Sequence, residues 1–166
     1  PVDSIRGRWC ANYKWKPPEE NTIDFKIRIV KEKYGTRLRD KLTDTEINGT
    51  IYPCKQVELI VAYDELKDPT CDFAWKLLTN EGMNRQREAL FNPPGENTNI
   101  HLCNIPLVGD KLLCKRDNVE LRDSMIVEME YNPDLPEGSR WIPLRERAEK
   151  PDAQFIDTAN NVWSTI

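Results

Sequence analysis

The stretch TIDFKIRI, residues 22–29, alternates strictly between apolar and polar side chains. In an extended chain, neighbouring side chains point to opposite sides, so such alternation predicts a strand with one face in a core. Two consecutive prolines, Pro17 and Pro18, precede it and exclude a helix at its entry. The side predicted to face inward contains Ile23, Phe25, Ile27 and Ile29.

The rest of the chain contains further short segments of this kind, separated by turn residues. Asn48-Gly49 predicts a hairpin turn before a strand through Val57, Leu59 and Val61. Other strand-like segments are NIHLCNIPLV (99–108), DKLLCKRD (110–117), SMIVEMEY (124–131) and RWIPLRER (140–147). In SMIVEMEY, alternation predicts that Val127 and Met129 face inward and that Glu128 and Glu130 face outward.

Several short strands with Pro- and Gly-marked turns and little helix predict a mainly β fold, an antiparallel barrel of the OB-fold type. A β-sandwich fits the pattern almost as well. The predicted organisation is a lead-in at 1–20, an OB-fold domain at 21–150 and a linker or docking segment at 151–166. An insertion around 64–95 interrupts the domain, and residues 72–91 within it predict one or two short helices.

The charge balance restricts the kinds of ligand that the chain can bind. The sequence has 24 Lys and Arg against 28 Asp and Glu, a formal net charge of -4. Proteins that bind nucleic acid over a broad surface are usually basic, so any anion site must be local. Five cysteines without a CxxC spacing and one histidine, His101, argue against a zinc site and favour reduced thiols in a cytosolic or nuclear compartment.

The sequence contains no pattern that predicts a membrane-spanning segment. No apolar run approaches the length of a membrane span, and no signal-peptide pattern is present. The chain begins at Pro1 rather than at a methionine, from which we expect that it is a piece of a longer protein.

Two cationic pairs are candidates for a local anion site. Lys14 and Lys16 flank Trp15, and Arg145 and Arg147 are also two residues apart, with Trp141 in phase if the strand is regular. Residues two apart on a strand lie roughly 7 Å from each other on the same side, which suits two oxygens of one phosphate group. Two simpler interpretations stand beside this one: solubilising lysines on a surface strand, or a solvated helical turn that starts at Pro143.

Taken together, the two segments resemble the guanylyltransferases of mRNA capping enzymes, within the covalent nucleotidyltransferase superfamily. YKWKPPEENTIDF (13–25) is similar to a K-x-K element followed by N-T-I/V-D-F, and WIPLRERAEK (141–150) is similar to W-x-P-x-R-x-R-x-D-K. GDKLLCKRDNVELRDSMIVEMEYN (109–132) resembles the strand pair before the last motif in enzymes of large cytoplasmic DNA viruses. Glu149 stands where the family motif has Asp.

This resemblance implies a reaction in two steps. A lysine of a K-x-D-G motif attacks the α-phosphate of GTP, giving lysyl-GMP and pyrophosphate, and the GMP then passes to the 5′-diphosphate end of an RNA. Mg²⁺ or Mn²⁺ would be bound mainly through the nucleotide. This chain has no K-x-D-G. The nearest match, Lys115 to Asn118, lacks the glycine and follows the K-x-K element, so the nucleophile is expected in an upstream nucleotide-binding domain.

Roles carry over to the matching residues as expectations. Lys14 and Lys16 would neutralise the α-phosphate, while Arg145, Arg147 and Lys150 would orient the pyrophosphate leaving group as the barrel closes like a lid. Asp24 matches the acidic position of the first motif and is carried over as a substrate-binding residue. Trp141 and Glu149 are carried over without an assigned role, and no protein metal ligand is predicted.

The resemblance also implies partners and a location. The tail, residues 151–166, is similar to the segment that joins guanylyltransferase to cap methyltransferase modules of viral enzymes, so a downstream methyltransferase module is expected. The expected location is the host cytoplasm or the virion, with no membrane partner. Two other readings remain open: an OB module that binds single-stranded RNA without catalysis, and the OB domain of a polynucleotide ligase.

Overall fold

The computed structural model describes residues 21–64, 86–96 and 99–166, and it is mainly β, as the sequence predicted. Strands and helix are numbered in chain order. They are β1 Thr22–Ile29, β2 Lys31–Tyr34, β3 Arg37–Asp40, β4 Leu42–Ile47, β5 Thr50–Asp64, β6 Gln86–Leu90, β7 Leu102–Pro106, β8 Ile126–Tyr131, β9 Trp141–Glu146 and the helix α1 Ile156–Trp163.

Seven strands form one antiparallel sheet. Its central path runs β4-β5-β1-β8-β9, and the long β5 also pairs with β6 and β7 at different positions along its length. β2 and β3 form a separate hairpin. Among the described residues no ladder joins β9 to β4 or β7, so strand pairing alone does not close the sheet into the expected barrel. The outer edge of β9 is instead covered by Lys115 and Arg116, whose backbone N–H groups donate to the carbonyls of Pro143 and Leu144.

The inner face of the sheet carries one hydrophobic core. The four alternating apolar residues of β1 are all buried, which confirms the prediction from TIDFKIRI. Val57, Leu59 and Val61 of β5 and Val127 and Met129 of β8 are buried in the same cluster. Removing this apolar surface from water is the main term that stabilises such a sheet.

The predicted hairpin turn lies between β4 and β5. Asn48 and Gly49 have φ values of 52° and 79°. Positive φ at both central residues is the geometry of a type I′ turn, whose twist matches that of the flanking strands. The turn chemistry of Asn-Gly therefore determines the register of this hairpin.

The structure changes the interpretation of two segments. Residues 86–90, which fall within the stretch predicted to be helical, form β6 on the edge of β5. The remainder of that stretch, 72–85, lies outside the described residues. Residues 110–117 form no named strand and make only isolated bridges, Val108 to Lys111 and Leu113 to Glu120. The turn there is at Gly109, whose φ of 70° suits glycine.

The tail packs on the domain itself. Residues 151–155 run beside the sheet, with Ala62 donating to the carbonyl of Gln154, and α1 contacts β5 and β1. Trp163 packs against the rings of Tyr131 and Phe91, with ring centroids 4.8 and 6.1 Å apart. The sequence had suggested a linker or docking segment here. Its expected connection to a further module stays a prediction.

Candidate functional site

A row of charged side chains crosses the outer face of the sheet over β1, β8 and β9. Asp24 lies directly opposite Glu128 in the β1–β8 ladder, and Glu128 lies directly opposite Arg145 in the β8–β9 ladder. Two carboxylates opposite each other on neighbouring strands repel, so this arrangement needs cations to compensate them. Arg145 supplies the first, with its Nε 2.5 Å from a Glu128 carboxylate oxygen.

A β-bulge in β9 places Arg145 on this outer face. Glu128 pairs with Arg145 but Met129 pairs with Pro143, which leaves Leu144 as an extra residue on β9. Trp141, Pro143 and Leu144 are all buried, whereas Arg145 is about half exposed. Trp141 was predicted to be in phase with the arginines if the strand is regular, and the bulge removes that condition.

Trp141 belongs to the core instead. Its ring lies 5.0 Å, centroid to centroid, from the rings of both Phe25 and Tyr131, in edge-on arrangements. It is 3% exposed. Trp141 is therefore a packing residue of the candidate site's supporting layer rather than a residue that contacts a ligand from the cationic face.

The residues after β9 return over the row and add two more cations. The chain turns at 147–150, and Lys150 N–H donates to the carbonyl of Arg147 at 2.9 Å. Arg147 Nη1 lies 3.2 Å from Asp24 Oδ1 and 3.6 Å from Glu128 Oε2, and Lys150 Nζ is hydrogen-bonded to Asp24 Oδ2. Both carboxylates are thereby buried, with 6% and 8% of their side-chain surface exposed. The alternative of a helical turn from Pro143 is wrong, since β9 extends to Glu146.

Backbone contacts hold this return segment in place. Arg147 N–H donates to the carbonyl of Ile126 at 2.8 Å, and Gln154 N–H donates to the carbonyl of Asp24 at 2.8 Å. The side-chain oxygen of Gln154 accepts from Asp24 N–H at 3.2 Å. The cations are therefore positioned by the sheet and not by the ion pairs alone.

The electrostatics of the cluster are balanced. Three acids, Asp24, Glu128 and Glu149, face three cations, Arg145, Arg147 and Lys150. Burial, the largest single influence, raises the pKa of Glu128, but hydrogen bonds from Arg145 and Thr22 and the charges of both arginines together lower it below its ordinary value. Glu128 is thus charged at neutral pH.

Glu149 forms the outermost pair of the cluster. Arg147 Nε donates to Glu149 Oε1 at 2.6 Å, and this hydrogen bond raises the pKa of Arg147 and lowers the pKa of Glu149. Glu149 is well exposed, so its pairing is screened by solvent. The acid that departs from the family motif is therefore the one held least tightly.

The structure brings together most of the residues that the sequence singled out. Asp24, Arg145, Arg147, Glu149 and Lys150 form one contiguous cluster. Lys14 and Lys16 lie outside the described residues. Sequence reasoning did not identify Glu128 as a member. The sequence did show an outward-facing acid on a strand that could pair with β1. Only the register of that pairing shows which residues the acid contacts.

The side chains of the cluster are poorly suited to bind a metal ion. In the described part of the chain no group of three or more His, Cys, Asp or Glu side chains is arranged to hold one. The two buried carboxylates, Asp24 and Glu128, already accept hydrogen bonds from Arg and Lys side chains. The cluster therefore suits an anionic ligand better than a cation.

The buried thiols are poor nucleophiles. Cys54, Cys103 and Cys114 are free and buried. Burial raises the pKa of Cys103 and of Cys114 to about 12, which leaves very little reactive thiolate at neutral pH.

Comparison with known proteins gives one informative match. The chain is 24% identical, over 93% of its length, to a probable mRNA-capping enzyme of Acanthamoeba polyphaga mimivirus, a large cytoplasmic DNA virus. The chain resembles part of a viral capping enzyme. It spans only 12% of that protein's length. The resemblance inferred from the two motifs is thereby confirmed.

The other comparisons limit what the match implies. No protein-family model and no solved structure matches the chain. None of the helices in the described ranges is long and apolar enough to span a membrane.

Proposed function

We propose that this chain is the OB-fold part of an mRNA guanylyltransferase and acts as the lid that orients the pyrophosphate leaving group of GTP. The observation that carries the proposal is the cluster of three cations on two buried carboxylates at the positions of the last motif. Similarity to part of a probable mRNA-capping enzyme supports the assignment. The larger enzyme's activity, its RNA substrate and its neighbouring domains belong to the proposal.

In the proposed reaction, the amine of a lysine in the nucleotide-binding domain attacks the α-phosphorus of GTP. A P–N bond forms, the bond from the α-phosphorus to the bridging oxygen of the β-phosphate breaks, and pyrophosphate leaves with the electron pair. The GMP is then transferred to the terminal phosphate of a 5′-diphosphate RNA, and the lysine is regenerated. A divalent metal would enter with the nucleotide, bound through its phosphates.

The cations of this chain would act on the leaving group. Arg145 is about half exposed and Lys150 about one-third exposed, so both can exchange a carboxylate partner for a phosphate oxygen without losing their backbone support. Arg147 is less exposed and bridges Asp24, Glu128 and Glu149, so it holds in place the return segment that carries Lys150. Preorganised cations lower the cost of charge that develops on the departing phosphate. Lys14 and Lys16 would neutralise the α-phosphate.

The charge balance of the cluster would make phosphate binding depend on closure of the lid. With its own acids the cluster is close to neutral, so it attracts a free triphosphate only weakly while the lid is open. Contact with the nucleotide-binding domain would bring the phosphates close enough to compete with Glu128 and Asp24. Opening would then release pyrophosphate and expose lysyl-GMP to the RNA.

The test uses a polypeptide that contains both this chain and its nucleotide-binding domain. We expect Arg145→Ala to reduce lysyl-GMP formation from GTP radiolabelled at the α-phosphate by about tenfold or more. Arg28→Ala is the matched control, because Arg28 forms the same kind of cross-strand pair, with Glu58 at 2.6 Å, on the outer face of β1. The control should retain labelling within about twofold, and thermal melts should show that both variants fold.

Other outcomes would change the assignment. Equal labelling by the Arg145 and Arg28 variants would remove the cluster from catalysis. Labelling by ATP in place of GTP would indicate a polynucleotide ligase. No covalent label with either nucleotide would favour a module that binds RNA without catalysis.

A further inference from the structure

A second site lies on a different part of the domain from the cationic cluster. It is a cleft of about 430 Å³ between β5, β7 and the loop that joins β8 to β9. Its polar lining includes Gln56, Asn104, Tyr131 and Arg140, and Trp141 forms part of its wall. This volume falls within the range of small-ligand pockets.

The side-chain amides of the cleft have a defined direction. Lys41 can only donate, and its Nζ lies 3.0 Å from Gln56 Oε1, so the oxygen of Gln56 faces Lys41. The Gln56 Nε2 group then donates to Asn104 Oδ1 at 3.3 Å. This chain of hydrogen bonds leaves the Asn104 NH₂ group directed away from Gln56 as a donor.

The loop from β8 to β9 is tied to the same residue. Asn104 N–H donates to the carbonyl of Gly138 at 2.6 Å. Gly138 has a φ of 80°, and a Cβ there would lie 3.6 Å from Asn104 Nδ2. Glycine suits this positive φ, and a side chain here would contact the Asn104 amide.

The other groups around the cleft add donors. Arg140 Nε donates to the carbonyl of Leu135 at 3.0 Å, and its Nη1 donates to Tyr131 Oη at 3.4 Å. Because Tyr131 oxygen accepts, its own O–H is available to donate. The buried indole N–H of Trp141 has no hydrogen-bond partner among the described residues. Asn104 and Tyr131 thus offer donors to the cleft, and Glu137 offers a carboxylate acceptor.

The charged side chains of the cleft favour a neutral ligand over a polyanion. Arg140 is accompanied by the carboxylate of Glu137, and both line the cleft. One cation beside one anion attracts a neutral ligand better than a polyanion. A ligand that suits these groups is neutral and planar, with carbonyl oxygens that accept hydrogen bonds and an N–H that donates to Glu137. Keto nucleobases have this chemistry.

We propose that this cleft binds one keto base, uracil or guanine, of single-stranded RNA. The choice of RNA as the source of the base rests on the proposed function, whereas the preference for a keto base rests on the donors described above. Uracil and cytosine share a ring size but differ at C4, where uracil has a carbonyl acceptor and cytosine an amino donor. The Asn104 amide donor would pair with the uracil carbonyl and face the cytosine amino group without a partner.

The test measures binding of fluorescently labelled short oligouridylate and oligocytidylate to the chain by anisotropy at constant salt. We expect oligouridylate to bind about tenfold more tightly. Asn104→Asp keeps the oxygen that accepts from Gln56 and replaces the donor with an acceptor, so it should abolish the preference. Asn132→Asp is the matched control. It adds the same charge in the loop that joins β8 to β9, at a residue that does not line the cleft, and within the described ranges its Oδ1 accepts from Asp134 N–H, so the preference should remain.

Three results would overturn the proposal. They are equal binding of the two oligonucleotides by the unmodified chain, an unchanged preference in Asn104→Asp, or loss of the preference in Asn132→Asp as well. Uridine monophosphate is a further arm: binding as tight as that of oligouridylate would show a free-nucleotide site and not an RNA site. None of these measurements involves GTP, so they can fail while the Arg145 labelling result stands, and the reverse also holds.

Discussion

The outer face of β1 carries three charged residues in alternate positions, and they have very different surroundings. At one end Asp24 is 6% exposed and bound by Arg147 and Lys150. At the other end Arg28 is 58% exposed and paired with Glu58 of β5. Lys26, between them, pairs with Glu88 of β6. One strand face therefore changes over five residues from a buried charge cluster to an ordinary solvated surface.

The difference arises from what covers each end. Residues 147–154 return over Asp24 and bring in two cations and the Gln154 contacts, whereas Arg28 pairs across the sheet with Glu58 and stays largely open to solvent. A charge that loses its hydration must be compensated by partners, while an exposed ion pair gains little. Alternation therefore shows which way a side chain points but not whether water reaches it.

The largest expected effect comes from removing the charge at the buried end. Asp24→Asn keeps the side-chain shape but leaves Arg147 and Lys150 without their shared acid. We expect a loss of about 2–4 kcal/mol in the free energy of unfolding, less than for a fully buried pair because Lys150 remains partly hydrated. Glu58→Gln at the exposed end should cost less than about 1 kcal/mol. Urea unfolding measures both, and equal losses would remove the distinction between the two ends.

A smaller effect is expected for the two matched arginine–glutamate pairs. Double-mutant cycles isolate the coupling free energy of Arg145 with Glu128 and of Arg28 with Glu58. We expect about 1–2 kcal/mol for the first pair, where the carboxylate is buried, and about 0.2–1 kcal/mol for the second. Raising the salt concentration should weaken the second pair more. A larger coupling for Arg28 with Glu58 would contradict this account.

The smallest effect is the pH dependence that Glu128 contributes. Because the folded protein lowers the pKa of Glu128, its stabilising contribution is present above the pKa of an unfolded glutamate and is lost as pH falls through the folded pKa. Wild-type protein should therefore exceed Glu128→Gln in stability at pH 7, and the gap should close from about pH 4.5 downward. Thermal melts across this range measure the gap. A gap that stays constant to low pH would show that the ionisation of Glu128 does not cause the difference in stability.

Much of the fold could be predicted because it depends on local chemistry. The alternation of β1, the Asn48-Gly49 turn and the strand nature of 141–146 each follow from neighbouring residues, and each is confirmed. Residues 86–90 were harder, since a short stretch without clear alternation takes its structure from the edge of β5 on which it pairs. The helix α1 was missed because such a short helix is stabilised mainly by tertiary packing, here the contact of its Trp163 with the ring of Tyr131.

The candidate site was predictable in its members but not in its arrangement. Motif resemblance placed Asp24, Arg145, Arg147 and Lys150 together in one function, and the structure places them in one cluster. Glu128 was predicted to face outward, and it does, yet it is buried under the return segment. Lys14 and Lys16 stay predictions, since they lie outside the described residues.

The amino-acid order alone determined the β class, the inward face of β1 and the residue types available to hold a phosphate, because period and side-chain chemistry are local properties. Tertiary structure decided which charges are paired. The extra residue at Leu144 turns Arg145 outward, and the β1–β8 register sets Asp24 opposite Glu128. The bulge depends on the pairing of β8 with β9, and the β1–β8 register joins residues more than a hundred positions apart along the chain, as do the contacts of Asp24 with Arg147 and Lys150. Such contacts exist only once the sheet has formed.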